Sequence, residues 1–136
     1  MGTVTPYPLA MVVCDFVWRD PYSGKNTLIG TFSVIGGTSF PLVHPSLGVY
    51  VSMTDGIGQF SVKLELTDVN DEREPIFELE HLVEVEDPRI VLEIAFQVSE
   101  VTFPSPGEYR LKLYANQEFL IERRLILVQA PAGEHP

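Results

Sequence analysis

The distribution of apolar and polar residues along the chain predicts strands and turns throughout. In two segments, Phe60 to Leu66 and Ile90 to Val98, every second residue is apolar. A period of two is typical of a strand that has one face in the core and the other in solvent. Leu9 to Trp18 is apolar apart from Asp15, which predicts a strand that is buried on both faces or lies at the centre of a sheet.

The segment 104–128 predicts a turn, a strand, a tight connection and a second strand. Tyr109, Leu111 and Leu113 share the apolar face of the first strand. Because Tyr109 directly follows a Pro-Gly turn, its position resembles the tyrosine corner of Greek-key sandwiches.

The end of this hairpin carries two further predictions. Asn116 and Gln117 lie where a short hairpin connection is expected. The three leucines of the return strand cannot all share one face without a change of register. We therefore expect a β-bulge near Arg123 and Arg124.

The first half of the chain continues the series of strands. Turn residues at 20–25 lead into a return strand over 27–35, which ends at two glycines. Two prolines predict an irregular loop over 40–47, and a strand follows over 48–53. Residues 76–85 favour a strand, and a helix opened by the preceding proline is the alternative.

Together these elements predict an all-β fold, namely an immunoglobulin-like antiparallel β-sandwich of about eight strands with no long helix. We expect one domain over residues 1–136, with a lead-in at 1–8 and a flexible tail at 129–136. Trp18 is a candidate for the central tryptophan of such a core.

Composition narrows the classes of function. The net charge of −10 disfavours nucleic-acid binding, which usually requires a basic patch. No apolar run reaches the ~20 residues of a membrane span, and no secretory signal is recognisable. The single cysteine, Cys14, excludes an internal disulfide and fits a reducing compartment, so we expect a cytoplasmic protein. The apolar neighbours of Cys14 indicate a buried structural thiol.

Most of the negative charge lies in one stretch. Between Glu65 and Glu93 there are eleven acidic residues and two arginines, a balance of −9. This stretch is either a solvated face that maintains solubility or a docking surface for a basic protein. The candidate partner-binding residues are Glu78, Glu80, Glu84, Glu86 and His44, the last in the predicted loop between Pro41 and Pro45.

The loop 68–75 gives an alternative, an ion- or small-ligand-binding site formed by Asp68, Asn70, Asp71 and Glu72. Clustered oxygen ligands suit Ca²⁺. The loop resembles the Asp-x-Asn-Asp-x-x-Pro calcium linker of cadherin repeats, with one extra residue before the proline. The cadherin segment joins successive domains, whereas this one lies within the chain. The primary prediction is therefore no metal and no cofactor.

Two segments resemble an uncharacterised family of small bacterial proteins with an immunoglobulin-like β-sandwich. The residues that carry the resemblance are Cys14, Asp15, Gly24, Lys25, Leu28, Ile29, Gly30, Phe40 and Pro41, together with the C-terminal run PGEYRLKLYANQ. The resemblance implies the fold. It supplies no catalytic residues, because the family has no assigned activity.

The resulting functional prediction is a non-catalytic protein-interaction or structural module. We expect a protein partner of basic character, and self-association through an uncovered edge strand as a further possibility, with Val128 onward as one place for it. We predict no enzymatic activity, since a hydrolase built on His44 would lack a positioned nucleophile and a cradle for developing charge.

Overall fold

The computed structural model describes residues 2–131 and contains nine β-strands. They are β1 (Tyr7–Arg19), β2 (Asn26–Thr31), β3 (Val34–Gly37), β4 (Leu42–Thr54), β5 (Gly58–Asp68), β6 (Phe77–Val85), β7 (Leu92–Phe103), β8 (Gly107–Ala115) and β9 (Glu118–Gln129). The all-β prediction is confirmed, with nine strands rather than about eight. No helix of the described residues is long and apolar enough to cross a membrane.

The strands form two sheets that share one core. The four-stranded sheet has the order β2-β1-β4-β7 and is curled like half a barrel, and the five-stranded sheet has the order β3-β9-β8-β5-β6. All neighbours are antiparallel except β3 and β9, which are parallel. The prediction of a purely antiparallel arrangement is therefore wrong at this edge.

Alternating residues of both sheets fill the core, as the period of two predicts. On β5 the predicted inward residues are all buried, and residues 76–85 form a strand rather than a helix. Ile90 is an exception, because it precedes β7 and is exposed. The central buried side chains of the two sheets are Leu47, Val49, Val51, Met53, Phe60, Val62, Leu64, Leu66, Phe96, Phe103, Tyr109, Leu111, Leu113, Leu125 and Leu127.

Tyr109 joins the start of β8 to the turn that precedes it. Its hydroxyl donates a hydrogen bond to the carbonyl oxygen of Ser105 at 2.6 Å and accepts one from the amide of Ser105 at 3.2 Å. Its ring packs edge-on against Phe103, with 5.1 Å between centroids. This is the geometry of a tyrosine corner, in agreement with the sequence pattern.

The β8–β9 connection is the predicted two-residue turn. Asn116 and Gln117 have positive φ angles of 47° and 70°, as a type I′ hairpin turn requires. The bulge lies at Leu120, between the pairs of Tyr114 and Leu113, and not at the arginines. Arg123 stays in regular register opposite Leu111, and its Nη1 donates a hydrogen bond to the Met11 carbonyl of β1 at 3.0 Å.

The prediction of one strand over 27–35 is wrong, because the chain changes sheets at residues 32 and 33. The amide of Phe32 still donates to Val13 of β1 at 3.1 Å, whereas the carbonyl of Ser33 already accepts from Ile126 of β9 at 3.0 Å. Side-chain alternation does not report which neighbour a strand pairs with, so the pattern conceals this crossing.

The predicted loop over 40–47 is also wrong beyond Pro41, since β4 begins at Leu42. The register with β7 continues from His44 opposite Val101 to Ser46 opposite Ser99. Between these pairs Pro45 has no amide hydrogen to donate, and Glu100 of the facing strand has a positive φ of 54°. A local irregularity of this kind lets a proline occupy a strand.

Beyond Cys14, β1 leaves β4 and forms with β2 a ribbon, residues 15–31, which we call the arm. The arm lies on the outer face of the four-stranded sheet at Gly48. A Cβ atom at Gly48 would lie 3.2 Å from the Cys14 Sγ and 3.4 Å from a methyl of Val17. Gln97 anchors the arm, because its amide donates to the Asp15 carbonyl at 2.9 Å and accepts from the Val17 amide at 3.3 Å.

The arm corrects the prediction for Trp18, which is not a core residue. It is 47% exposed, on the side of the arm that faces away from the sheet, with Phe16 and Ile29. The apolar run of β1 therefore serves the core only in its first half. At the arm tip, Asp20 accepts hydrogen bonds from Tyr22 and Ser23, and the Ser23 hydroxyl lowers the pKa of Asp20.

Residues near both ends of the described chain pair with neighbouring strands. Val4 pairs with Ile57, and β1 begins at Tyr7. The predicted tail begins too early, since Gln129 ends β9 and the Ala130 amide donates to Gly37 of β3 at 2.7 Å. Residue 1 and residues 132–136 of the predicted lead-in and tail lie outside the described residues.

Candidate partner-binding face

Strand β6 forms one edge of the five-stranded sheet and carries most of the candidate residues. Its odd-numbered side chains from Phe77 to Val85 face the other sheet, and Glu78, Glu80, Leu82 and Glu84 face outward. We call these four outward side chains the acidic face. Leu82 lies at its centre and is 86% exposed. Glu86 follows the strand and is exposed.

The charges of the acidic face are poorly neutralised. Among the described residues, no Lys, Arg or His nitrogen lies within 4.0 Å of a carboxylate of Glu78, Glu80 or Glu84. Glu80 accepts a hydrogen bond from the Ser61 hydroxyl at 2.9 Å. Glu78 lies directly opposite Glu65 of β5, and such like-charged cross-strand pairs are destabilising.

Two aspartates near the acidic face, unlike its glutamates, form ion pairs with arginines. Asp87 pairs with Arg89 at 2.9 Å, and Asp71 pairs with Arg73 at 3.0 Å. The arginine hydrogen bonds hold the pKa of each aspartate below its usual value. These aspartates therefore carry their own counter-ions, whereas the glutamates of β6 do not.

The β8–β9 turn lies beside the acidic face, and clefts form between the two. The Asn116 Oδ1 accepts from the Ser61 amide at 2.9 Å, which fixes the turn against β5. A cleft of about 450 Å³ lies between Asn116, Ser61, Leu82 and Glu84. A second cleft of about 310 Å³ is lined by Lys63 and Glu80, so the acidic face borders two depressions.

The structure separates His44 from these glutamates. His44 lies on β4, on the other sheet, and its side chain is 17% exposed. Its ring packs against Phe32 with 5.4 Å between centroids, and Nε2 is 3.5 Å from a carboxylate oxygen of Asp15. That separation exceeds normal hydrogen-bond length, and Nε2 has no hydrogen-bond partner among residues 2–131. The placement of His44 in a loop was wrong, and it does not share a surface with the glutamates.

The four candidate calcium ligands lie in the β5–β6 loop without converging. Asp68 accepts from the Asn70 amide at 3.0 Å, Asp71 binds Arg73, and Glu72 lies 3.4 Å from the Lys112 amine. The described chain has no group of three or more His, Cys, Asp or Glu side chains arranged to hold a metal ion. The calcium alternative stays a prediction.

Cys14 is fully buried beneath the arm, and burial raises the pKa of its thiol. Leu82 and Asn116, in contrast, are functional candidates that sequence reasoning missed. For Leu82 the signal was present, since it is separated from the glutamates of β6 by an even number of positions and therefore lies on the same face of the strand. For Asn116 there was none, because its contact with Ser61 depends on how β5 and β8 pair.

Comparisons with known proteins identify a family but no activity. No curated protein matches the chain. A solved structure, a beta-glucosidase from Listeria innocua in complex with isofagomine, is 14% identical over 70% of this chain, with a TM-score of 0.45. The chain spans only 14% of that enzyme's length. A family model described as "Family of unknown function (DUF6941)" matches residues 9–128. The chain therefore belongs to DUF6941, a family of unknown function.

Proposed function

We propose that this protein is a non-catalytic interaction module whose acidic face binds a basic segment of another protein. The observation that supports this most directly is the composition of the outward side of β6. Three glutamates that form no ion pair among the described residues lie in a row with Leu82, which is 86% exposed, and Glu80 is opposite Lys63 of β5. An exposed apolar side chain in a row of like charges suits a partner that supplies both lysines or arginines and an apolar contact.

The Glu78–Glu65 pair is a second support. Two glutamates opposite each other on one sheet face repel each other, and the Lys63 amine, 3.6 Å from the Glu65 carboxylate, offsets part of this repulsion. A bound cation would relieve this repulsion. Solubility alone does not require such a pair, because acids spaced apart would serve equally well.

Replacing Glu78 and Glu84 by glutamine should weaken the binding of a decapeptide of alternating lysine and valine about three- to tenfold, since exposed ion pairs contribute about 0.2–1 kcal/mol each. Fluorescence anisotropy at low ionic strength would measure the dissociation constant. The affinity of the unaltered protein should also fall as salt is raised, because salt screens exposed charges. Glu78→Gln alone should leave the free protein slightly more stable.

The matched control for that experiment is the double variant Asp20→Asn and Glu118→Gln, which removes one charge at the arm tip and one at the start of β9. It should bind the peptide almost as the unaltered protein does. Equal weakening by both variants would show that only the net charge attracts the peptide. That result would contradict a site on β6.

We also propose that the two sheets form an immunoglobulin-like sandwich. The order β9-β8-β5-β6 corresponds to strands G, F, C and C′, and β1-β4-β7 corresponds to A, B and E. Tyr109 then stands at the start of strand F, where the tyrosine corner of that fold belongs. No described strand occupies the position of D beside β7.

The proposed cytoplasmic location is supported by the single, unbridged Cys14.

A second copy of the chain is a further proposed partner, which would bind at the arm. Phe16, Trp18 and Ile29 form an exposed apolar patch there, and residues 26–43 contain no Asp, Glu, Lys or Arg. Two molecules of charge −10 meet with least repulsion at such a surface. Half-exposed aromatic side chains offer roughly 100 Å² each, well below the ~800 Å² per partner of a standard interface, so this dimer should be weak.

Trp18→Asp should therefore convert a concentration-dependent dimer to a monomer, because an aspartate in the patch would be desolvated without a partner. Light scattering at several protein concentrations would measure the mass. Leu82→Asp is the control, since it changes an even more exposed apolar residue outside the arm and should leave the dimer intact. A monomer at every concentration, with or without the substitution, would refute self-association at the arm.

A further inference from the structure

The two sheets are joined along one side and open along the other. On the joined side, Arg123 of β9 hydrogen-bonds to Met11 of β1, and the chain crosses directly from β2 to β3. The opposite side is formed by β6 and β7, which are the edge strands of the two sheets and do not pair with each other. No strand of the described chain pairs with either edge, and Arg19 and Asn26 of the arm line a cleft there with Val83 of β6 and Leu92 of β7.

Two clefts follow this open side. One of about 440 Å³ is lined by Phe77 of β6 and by Val98 and Val101 of β7. The other, of about 300 Å³, is lined by Val83 and Leu92 together with the polar residues Arg19, Asn26, His81 and Glu93. Between the two clefts, the ring of His81 packs edge-on against Phe96, with 5.0 Å between ring centroids, and covers the core at that point. The open side therefore presents apolar side chains interspersed with polar ones, among them His81, Glu93 and Glu100.

The main-chain groups on the free edge of β6 can be assigned from the ladder. The main-chain amide and carbonyl of Ser61 both point towards β8. The amide donates to the Asn116 Oδ1 at 2.9 Å, and the carbonyl accepts from the Asn116 amide at 2.9 Å. Main-chain groups alternate in direction along an antiparallel strand, so Val62 faces β6 and bonds with its partner His81. The amide and carbonyl of Leu82 consequently point away from β5, as do those of Glu78, Glu80 and Glu84 by the same alternation.

The side chains beside this edge determine which residue types an added strand would need. A strand added to β6 would place its outward residues next to Glu78, Glu80 and Glu84, and its inward residues next to Phe77 and Val83 above the clefts. Cross-strand neighbours of opposite charge are favourable, and apolar neighbours suit the inward side. A second copy of β6 does not fit, because its glutamates would lie beside these.

From this geometry we infer that β6 binds its partner by strand addition. The occupant is an extended protein segment in which lysine or arginine alternates with apolar residues. It hydrogen-bonds to the free edge of β6 and covers the open side towards β7. This inference rests on the proposed function and deepens it, since it specifies how the basic segment binds.

The test uses the full chain and the decapeptide of alternating lysine and valine. Leu82→Pro removes an edge amide hydrogen that no strand of the protein uses, which an edge strand tolerates. It should weaken binding at least tenfold. Leu82→Ser, which keeps the amide and loses the apolar side chain, should weaken binding threefold or less. Near-ultraviolet circular dichroism and thermal unfolding would establish that both variants are folded.

A second measurement needs no variant of the protein. Two forms of the peptide are N-methylated, one at the valines and one at the lysines, so that each form loses every second main-chain donor. Only one set of donors can face β6 in an added strand. One form should therefore bind at least tenfold more weakly than the other, and equal binding of the two would overturn strand addition.

The outcomes separate the two proposals. If Leu82→Pro and both methylated peptides bind normally while Glu78→Gln with Glu84→Gln weakens binding, the segment is held by its charges alone. Strand addition then fails and the proposed function stands. If the unmodified peptide does not bind at all, both fail. If Leu82→Pro changes the molecular mass of the free protein, a second copy occupies the edge and strand addition by another protein is refuted.

Discussion

Replacing Tyr109 by alanine should lower the free energy of unfolding by about 3–5 kcal/mol, the cost expected for removal of a large buried aromatic side chain. Tyr109 is fully buried, its ring packs on Phe103, and its hydroxyl makes two hydrogen bonds to Ser105. Removing it leaves a cavity between the sheets and frees the turn before β8. Urea denaturation followed by tryptophan fluorescence would measure the change.

Two further substitutions divide this effect into its parts. Tyr109→Phe keeps the ring and should cost about 1–3 kcal/mol, because the main-chain groups of Ser105 lose their partner. Tyr114→Phe, on the outward face of the same strand, should change stability by less than about 0.5 kcal/mol. If Tyr109→Phe were as neutral as Tyr114→Phe, the corner hydrogen bonds would contribute nothing to stability.

Gly48→Val should detach the arm and expose Cys14. The added side chain would point at Gln97, Cys14 and Val17, where a Cβ atom alone already meets the Gln97 Oε1 at 3.0 Å, the Cys14 Sγ at 3.2 Å and a Val17 methyl at 3.4 Å. Overpacking of this kind costs about 1–3 kcal/mol. Cys14 is the single cysteine, so the rate of thiol labelling under native conditions reports arm detachment directly.

The labelling rate should rise most near neutral pH. Burial raises the pKa of the Cys14 thiol in the packed state, and the reactive thiolate is therefore scarce until the pH is high. Exposure lowers this pKa towards its ordinary value, so the profile of rate against pH moves to lower pH. Gly36→Val is the control, because a Cβ atom there meets only Val128, at 3.7 Å. Unchanged labelling of a destabilised Gly48→Val protein would show that the arm is not held by this packing.

Much of the fold was predictable because alternation reports burial directly. Phe60 to Leu66 and the start of β8 were correctly assigned, since each apolar residue on them meets the core. The same signal failed at Trp18, where an apolar residue lies on the outside of the arm. It failed again at residues 32 and 33, because the change from β1 to β9 as the bonding neighbour leaves the alternation of side chains intact.

The candidate site was predictable in part. The glutamates of β6 were identified from charge alone, and the structure places three of them on one face with Leu82. His44 was assigned to the same role because two prolines implied a loop, but Pro45 is accommodated within β4 opposite Glu100. The open side between β6 and β7 could not be predicted, because it is a property of sheet order rather than of any local segment.

The parallel pairing of β3 with β9 has a consequence for folding during synthesis. It joins residues 34–37 to residues 126–129, so it cannot form until nearly all of the chain to Gln129 has left the ribosome. The β5–β6 hairpin pairs residues close in sequence and can form much earlier. Until β3 and β9 pair, the sheets are incomplete and the β5–β6 hairpin has an exposed strand edge, and such edges pair readily with other chains. We expect the glutamates of β6 to repel copies of that hairpin on neighbouring nascent chains and so to disfavour aggregation during synthesis.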